Sequence, residues 1–445
     1  MTVRVAKAGA RTISAQEAAG LVRPGMWVDY GAVLSQPDVF DGALAARKEE
    51  LSNVKIRACL STRPRAVLEA DPECKHFCLL NLHFSGYDRR KHDAGACTYL
   101  PVNLGEIPDY YRRFIDPVDI VIIKTCPVDA EGTFNFGPSN LWHRAIIERA
   151  KLVIVETTRG LPYVHGERNS VHISEVDFII EGDDTPAAEL PIASPTDVDR
   201  AVARQIAAEV EDGACLQVGI GGMPNSVCSL LFESGVRNLG VHTEMLVDGI
   251  TDLYKAGRIS GARKTLDPGK IVYSFAFGSR DLYATLERNP DFQCHTVDYT
   301  NSPHIIMQND RMIAINNTTQ IDLQGQAASE SDGFRHISGT GGQAQFVRGA
   351  YAARYGKSFI CLSSAYDKRG ERRSRIVLSL TPGNIVTTTR SDMMYVVTEY
   401  GMVNLKGKSV AERALALISI AHPDFREVLE REAYERRLIP SGFSF

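Results

Sequence analysis

The order of strand and helix signals runs through this chain twice, and that repetition restricts the fold more than any single motif does. Ser14-Ala15-Gln16-Glu17 is a capping box opening a helix that ends near Val22, followed by Pro24-Gly25 and a strand-like run from Met26 to Tyr30. Gly31, a short loop with Pro37, a helical stretch from Asp38 to about Glu50 and a second apolar strand from Val54 to Leu60 come next. Downstream, a helical period covers 198–210, Gly213 breaks it, Ala214 to Val218 reads as a strand, and Gly219 opens a loop closed by Pro224. A helix from Asn225 to Glu233 and a strand from Leu239 to Val241 complete the match. The correspondence then continues. Asp119 to Lys124 with Thr133-Phe134 answers Met312 to Asn316 with Thr318 to Asp322, each followed by a glycine-containing turn and a strand, at Leu152 to Val155 and Phe359 to Leu362. Shared order of this kind is the signature of duplication.

Strands alternating with helices predict mainly parallel sheets covered on both faces. The expected fold is therefore α/β: two similar domains with mainly parallel sheets flanked by helices. A chain of 445 residues has length enough for both. The acidic, proline-containing stretch from Glu181 to Pro195 is the expected linker, which divides the chain into residues 1–190 and 191–445. Ligands of such domains are expected in an interdomain cleft, at the carboxyl ends of parallel strands.

Composition removes several function classes. A net charge of -4 with dispersed basic residues leaves no footprint for a nucleic acid. Nine cysteines without a paired framework, several inside apolar runs such as Ala58-Cys59-Leu60, read as reduced core thiols. Cys74-Lys75-His76-Phe77-Cys78 lacks a second ligand pair at zinc spacing, so no metal is expected. The N-terminal residues lack an apolar signal core and no run approaches a membrane span, so a soluble, cytoplasmic protein without a membrane partner is expected.

The residues that can do chemistry cluster in the second half. Glu244 stands three residues beyond the run Leu239 to Val241. A carboxylate of ordinary pKa, about 4.3, is ionised at neutral pH and can attack an activated acyl group without a helper base. It also reads as a strand-end glutamate that caps a helix or faces water. Gly219-Ile220-Gly221 lets backbone N–H groups approach an anion or thioester at a helix N-terminus, or simply makes a tight turn. It lacks the third glycine and the ribose-binding acid of a nicotinamide site. Gly339-Thr340-Gly341-Gly342-Gln343 offers consecutive donors suited to an oxyanion, or turns a sheet corner. Asn301 precedes Ser302-Pro303, where it can lend a side-chain donor to the same site or make an Asx turn. Glu399, after the run Met394 to Val397, orients a donor or binds backbone.

Taken together, Gly219-Ile220-Gly221 with Pro224, HTEMLVDGITDLYKAG from His242, VDYTNSP from Val297, SGTGGQAQFVRGA from Ser338, VTEYG from Val397 and IAHPDFR from Ile420 resemble the acetyl-CoA hydrolase/transferase branch of the class I CoA-transferases. The likeness covers nearly the whole chain and is nearest to the 4-hydroxybutyrate and butyryl-CoA:acetate groups of that branch. It implies a glutamate nucleophile matching Glu244 and a thioester oxyanion held near Gly341 and Asn301. Coenzyme A is implied along Gly219, Ile220, Gly221, Gly339, Gly341, Gly342 and Gln343. The resemblance further implies ping-pong exchange of coenzyme A between an acyl-CoA and a short-chain carboxylate, through a glutamyl-CoA thioester, in a homodimer or homotetramer. An acyl-CoA hydrolase on the same scaffold and a noncatalytic CoA-ester binding protein are the rival readings.

The first half departs from these relatives around Arg63-Pro64-Arg65 and Tyr87 to His92, a segment the resemblance puts near the acyl pocket. Arg63 and Arg90, with Glu399, are the substrate-binding candidates there. A cation paired with a distal carboxylate makes the acceptor a C4 or C5 dicarboxylate such as itaconate or succinate instead of a butyrate-like or 4-hydroxybutyrate-like acid. A solvated charge run is the alternative.

Overall fold

The computed structural model describes residues 9–191 and 194–442, and the chain separates into two compact units. The first runs to Pro191 and also contains Glu244–Leu246 and Val272–Thr300; the second holds Ile192–Thr243, Val247–Ile271 and the chain from Asn301 onward. The first unit's long stretch ends at Pro191, and residues 272–300 return to it from the second half of the chain. Hydrogen bonds explain the return of 272–300. Cys294 N–H donates to the His165 carbonyl at 2.8 Å, Arg288 N–H to the Tyr163 carbonyl at 2.8 Å, and the Asn140 amide to the Cys294 carbonyl at 3.0 Å. None of these partners is close in sequence, so periodicity could not reveal them.

Along the first unit lie β1 (Arg11–Thr12), α1 (Ala15–Ala19), β2 (Trp27–Ala32), α2 (Val39–Ala45), β3 (Val54–Cys59), β4 (Phe77–Asn81), α3 (Gly86–Asp93), β5 (Cys97–Tyr99), β6 (Ile120–Thr125), α4 (His143–Arg149), β7 (Leu152–Thr157) and β8 (Phe178–Glu181). The strands form one sheet in the order β1-β8-β7-β6-β2-β3-β4-β5. Every pairing in it is parallel. A parallel sheet is buried on both faces, which is why the central strands are continuous apolar runs: Ile120 to Ile123 and Val153 to Val155 are all at most 1% exposed. The capping box at Ser14 forms, with the Ser14 hydroxyl accepting from Glu17 N–H and the Glu17 carboxylate accepting from Ser14 N–H.

The second set comprises α5 (Asp197–Ala207), β9 (Cys215–Val218), α6 (Gly222–Ser234), β10 (Gly240–Leu246), β11 (Ile271–Ala276), β12 (Phe292–Cys294), β13 (Met312–Asn317), α7 (Gln343–Ala352), β14 (Lys357–Cys361), β15 (Tyr395–Thr398) and β16 (Gly401–Asn404). Its sheet has the order β12-β11-β10-β9-β13-β14-β15-β16. Read outward from β2 and from β9, the two orders are the same: β3, β4, β5 answer β10, β11, β12, and β6, β7, β8, β1 answer β13, β14, β15, β16. Seven strands of each sheet therefore correspond in both spatial and chain order, as the expected duplication requires; the eighth, β1 or β16, lies at opposite ends of the chain in the two copies. The copies differ at one edge, where β16 is antiparallel to β15 while β1 is parallel to β8.

Candidate active site

Strand β10 is longer than its apolar run suggests. It was expected to stop at Val241; it continues to Leu246 and carries Glu244 within it. His242 and Thr243 are polar, which ends the apolar pattern, yet they are 0% and 1% exposed. Pairing with β9 is at Cys215 with Gly240 and Leu216 with Val241. Glu244 therefore lies three residues beyond the last β9 partner, toward the carboxyl end of the strand, and is half-buried. Upstream, the buried Lys264 ammonium donates to the Val241 carbonyl at 3.0 Å and to the Lys270 carbonyl at 2.9 Å, clamping the strand. Within the first unit, the Cys59 thiol at the end of β3 is raised well above its ordinary pKa by burial, then by the charges of Asp88 and Glu244. The nucleophile candidate thus stands near the carboxyl end of β3.

The glycine loops and Asn301 belong to the second unit. Helix α6 begins at Gly222, three residues before the expected start at Asn225, because Pro224 is tolerated in a first turn where its missing N–H has no helical partner to lose. Gly219, Ile220 and Gly221 lead into its N-terminus, with Gly221 at the N-cap position. Ile220 is 49% exposed, and its carbonyl accepts from the Asn317 amide at 3.4 Å. The second loop, from Gly339, enters α7 through Gly341 and Gly342, the latter at the N-cap. Gly341 has φ of 63°, a left-handed conformation that suits glycine. Its neighbour Thr340 donates to the Glu330 carboxylate at 3.0 Å, as Thr387 does from another segment, so one buried acid ties the loop down. Gln343 donates to the Thr388 hydroxyl at 2.9 Å. Asn301, fully buried, donates to the Gln345 side-chain oxygen at 3.4 Å. The structure therefore brings Asn301 to the first turn of α7, beside the Gly341-Gly342 entrance. Gln345 was not among the expected site residues, although it lies in the GGQAQF segment.

Of the basic candidates, Arg63 is already engaged. It pairs with Asp38 at 2.5 Å and also donates to the Pro186 carbonyl. Asp38 collects Arg65 at 2.7 Å and Lys124 as well. Burial alone would raise the Asp38 pKa, but Lys124 and Arg65 outweigh it and bring it down to about 2. Arg90 is exposed on α3. Glu399 accepts from Ser364 N–H at 2.9 Å and from the Ser364 hydroxyl at 2.6 Å. Among the described residues, no group of three or more His, Cys, Asp or Glu is arranged to hold a metal ion, and no helix is long and apolar enough to cross a membrane.

Paired eight-stranded α/β sheets and the motif set define an enzyme of the CoA-transferase class. Residues 6–191 match the acetyl-CoA hydrolase/transferase N-terminal domain and residues 278–433 the C-terminal domain of the same name. The chain is 45% identical over 428 residues to the butyryl-CoA:acetate CoA-transferase of Anaerostipes caccae, covering 96% of each. It is 42% identical over 362 residues to the 4-hydroxybutyrate coenzyme A transferase of Clostridium kluyveri, covering 81% of this chain and 83% of that one. The crystal structure of RipA from Yersinia pestis superposes with a TM-score of 0.87 at 35% identity, covering 96% of this chain and 98% of the other. This protein belongs to the acetyl-CoA hydrolase/transferase family.

Proposed function

We propose that the protein moves coenzyme A from an acyl-CoA to a short-chain carboxylate, with Glu244 as the nucleophile that carries it. The observation behind this reading is a half-buried carboxylate on the carboxyl half of a central strand, where open α/β sheets bind their ligands. The Glu244 carboxylate attacks the thioester carbonyl, the C–S bond breaks, and CoA leaves as thiolate with a mixed glutamyl anhydride left behind. The thiolate then attacks the glutamyl carbonyl, forming a glutamyl-CoA thioester and releasing the first acid as its carboxylate. A second carboxylate reverses both steps and restores Glu244. Each bond broken is replaced by one of similar energy, so no nucleotide hydrolysis is required and the kinetics are ping-pong. Backbone donors at Gly341 and the Asn301 amide suit the oxyanion that each tetrahedral intermediate bears. The loop from Gly219 to Gly221 and that from Gly339 to Gln343 suit the coenzyme.

For the acceptor, the state of Arg63 favours a C4 or C5 acid without a second charge, butyrate-like or 4-hydroxybutyrate-like. A dicarboxylate such as itaconate or succinate would have to take Arg63 from Asp38. The deciding experiment is Glu244→Gln with acceptor-dependent loss of acyl-CoA as the readout. Turnover falls more than about 10³-fold, since an amide is a poor nucleophile. Borohydride added during turnover of the unaltered enzyme modifies residue 244. Near-normal exchange by the variant refutes the assignment, and free thiol released without an acceptor points to hydrolysis instead.

A further inference from the structure

The second sheet has a cavity at the end away from the Gly219–Gly221 loop. It measures about 410 Å³, within the range of small-molecule sites, and every residue lining it belongs to the second unit. Ala214, Arg311 and Met394 stand immediately before β9, β13 and β15, and Lys357 opens β14, so the cavity lies across the amino ends of four neighbouring parallel strands. The Gly219–Gly221 loop follows the other end of β9, and Asn317, which donates to the Ile220 carbonyl, ends β13. The six residues of β13 put roughly 20 Å between the two ends. Open α/β sheets take their principal ligand at the carboxyl ends, so a site at the amino ends is a second one.

The duplicated fold provides an internal comparison. In the first sheet, pairing of Ile120 with Leu152 sets Asp119 opposite Lys151, and these two form an ion pair at 2.6 Å. Asp119 also accepts from Trp27 N–H at 2.9 Å, which latches the amino ends of that sheet together. In the second sheet, pairing of Ile313 with Lys357 sets Arg311 opposite Tyr355. The latch is replaced there by a guanidinium 5.5 Å from the centre of an aromatic ring. Arg354 lies 4.9 Å from the same ring and donates to its hydroxyl at 3.2 Å, yet Tyr355 stays 63% exposed. Arg311 and Tyr355 have φ of 54° and 59°, a conformation that bulky residues keep only where their surroundings enforce it. Arg311 N–H donates to the Arg354 carbonyl at 2.7 Å, tying the two turns to each other. At the neighbouring Gly356 a Cβ would collide with the Ala350 carbonyl oxygen, so this turn packs directly on the end of α7.

The lining divides by chemistry. Ala214 and Ile313 are apolar and buried, and the Tyr395 ring is held by stacking on the buried Phe359 at 5.1 Å. Glu209 and Glu211 lie just beyond α5. Glu209 pairs with Lys357 at 2.8 Å, and Glu211 stands 3.6 Å from Arg311 in a largely exposed pair worth little energy. We propose that this cavity binds a nucleotide whose base carries an exocyclic amine. Arg311 and Arg354 take the phosphates, for which the guanidinium fork is suited. The exposed Tyr355 ring and the guanidinium planes bear the base, and Glu209 and Glu211 accept from the amine and the ribose hydroxyls. A simple anion meets two carboxylates here and a simple cation meets two guanidinium groups; a nucleotide answers both. The site is independent of the role of Glu244.

The test is calorimetric titration of the full-length protein with ADP, for which a Kd below about 1 mM is expected. Arg311→Gln and Tyr355→Ala each weaken ADP by about fivefold or more. Both leave the KM for acyl-CoA within about twofold of the unaltered enzyme, which shows that the variants fold and that the catalytic site is not the one being titrated. Adenosine and pyrophosphate, each one part of the ligand, bind at least about tenfold more weakly than ADP. A second arm separates two sources of such a nucleotide. If it is the nucleotide end of coenzyme A, the coenzyme binds at two molecules per chain and at one in Arg311→Gln; if it is a free nucleotide, the coenzyme binds at one in both. Absence of ADP binding at about 1 mM, binding that both variants leave unchanged, or pyrophosphate binding as tightly as ADP overturns the inference. A KM for acyl-CoA that rises in step with the Kd for ADP overturns the separation of the two sites.

Discussion

Asp38→Asn isolates the charge cluster that occupies Arg63. Three cations converge on this one carboxylate, and two of them are inside: the side chains of Arg65 and Lys124 are 2% and 8% exposed, against 27% for Arg63. Each pKa unit is worth about 1.4 kcal/mol, so a carboxyl moved from its ordinary 3.8 to about 2 contributes roughly 2 kcal/mol to the folded state at neutral pH. The amide keeps the shape but strands two buried cations, and breaking a well-buried pair costs about 3–5 kcal/mol. Because Asp38 itself is 20% exposed, a loss of about 3 kcal/mol is expected. The sign with pH follows from the depressed value. The contribution is complete above the unfolded pKa, about half is gone by pH 3, and it vanishes as pH falls through about 2. The chain has two tryptophans, Trp27 and Trp142, both in the first unit, so denaturant unfolding followed by tryptophan fluorescence reports that unit. The difference between the two proteins should be near 3 kcal/mol at pH 7 and narrow steadily below pH 4. A difference under about 1 kcal/mol at pH 7, or one that does not narrow on acidification, would refute the reasoning.

Two further substitutions probe the second unit. Glu399→Gln retains an oxygen for Ser364 N–H, and the Ser364 hydroxyl can turn to accept from the new amide, so kcat/KM should drop by less than about tenfold; a thousandfold loss would place Glu399 in the chemistry. Gly341→Ala puts a Cβ on a left-handed residue at about 1 kcal/mol or more and displaces the donors beside it. Steady-state assays should show kcat reduced by about tenfold, and an unaffected kcat would remove Gly341 from oxyanion binding.

Much of the fold was legible because local signals and tertiary structure agree. The Ser14 capping box, the strands at Trp27–Ala32, Val54–Cys59 and Cys215–Val218, and the paired order of the two halves all follow from residues within a few positions of one another. What escaped depends on distance in sequence. Strand β10 runs through His242 and Thr243 because their surroundings bury polar side chains, which hydropathy alone cannot anticipate. Arg63 looked like a free cation because Asp38 and Pro186 are far along the chain. Glu244, by contrast, stood out from its motif, although its nearness to the end of β3 did not.

The outermost strands of both sheets are short: two residues in β1, three in β5 and β12, four in β16. Unpaired rows of that length offer little template for another chain to add a strand, which is how natural sheets avoid aggregating edge to edge. Copies of this chain that associate should therefore do so through helical or loop surfaces, and concentrated preparations should resist growth into fibrils.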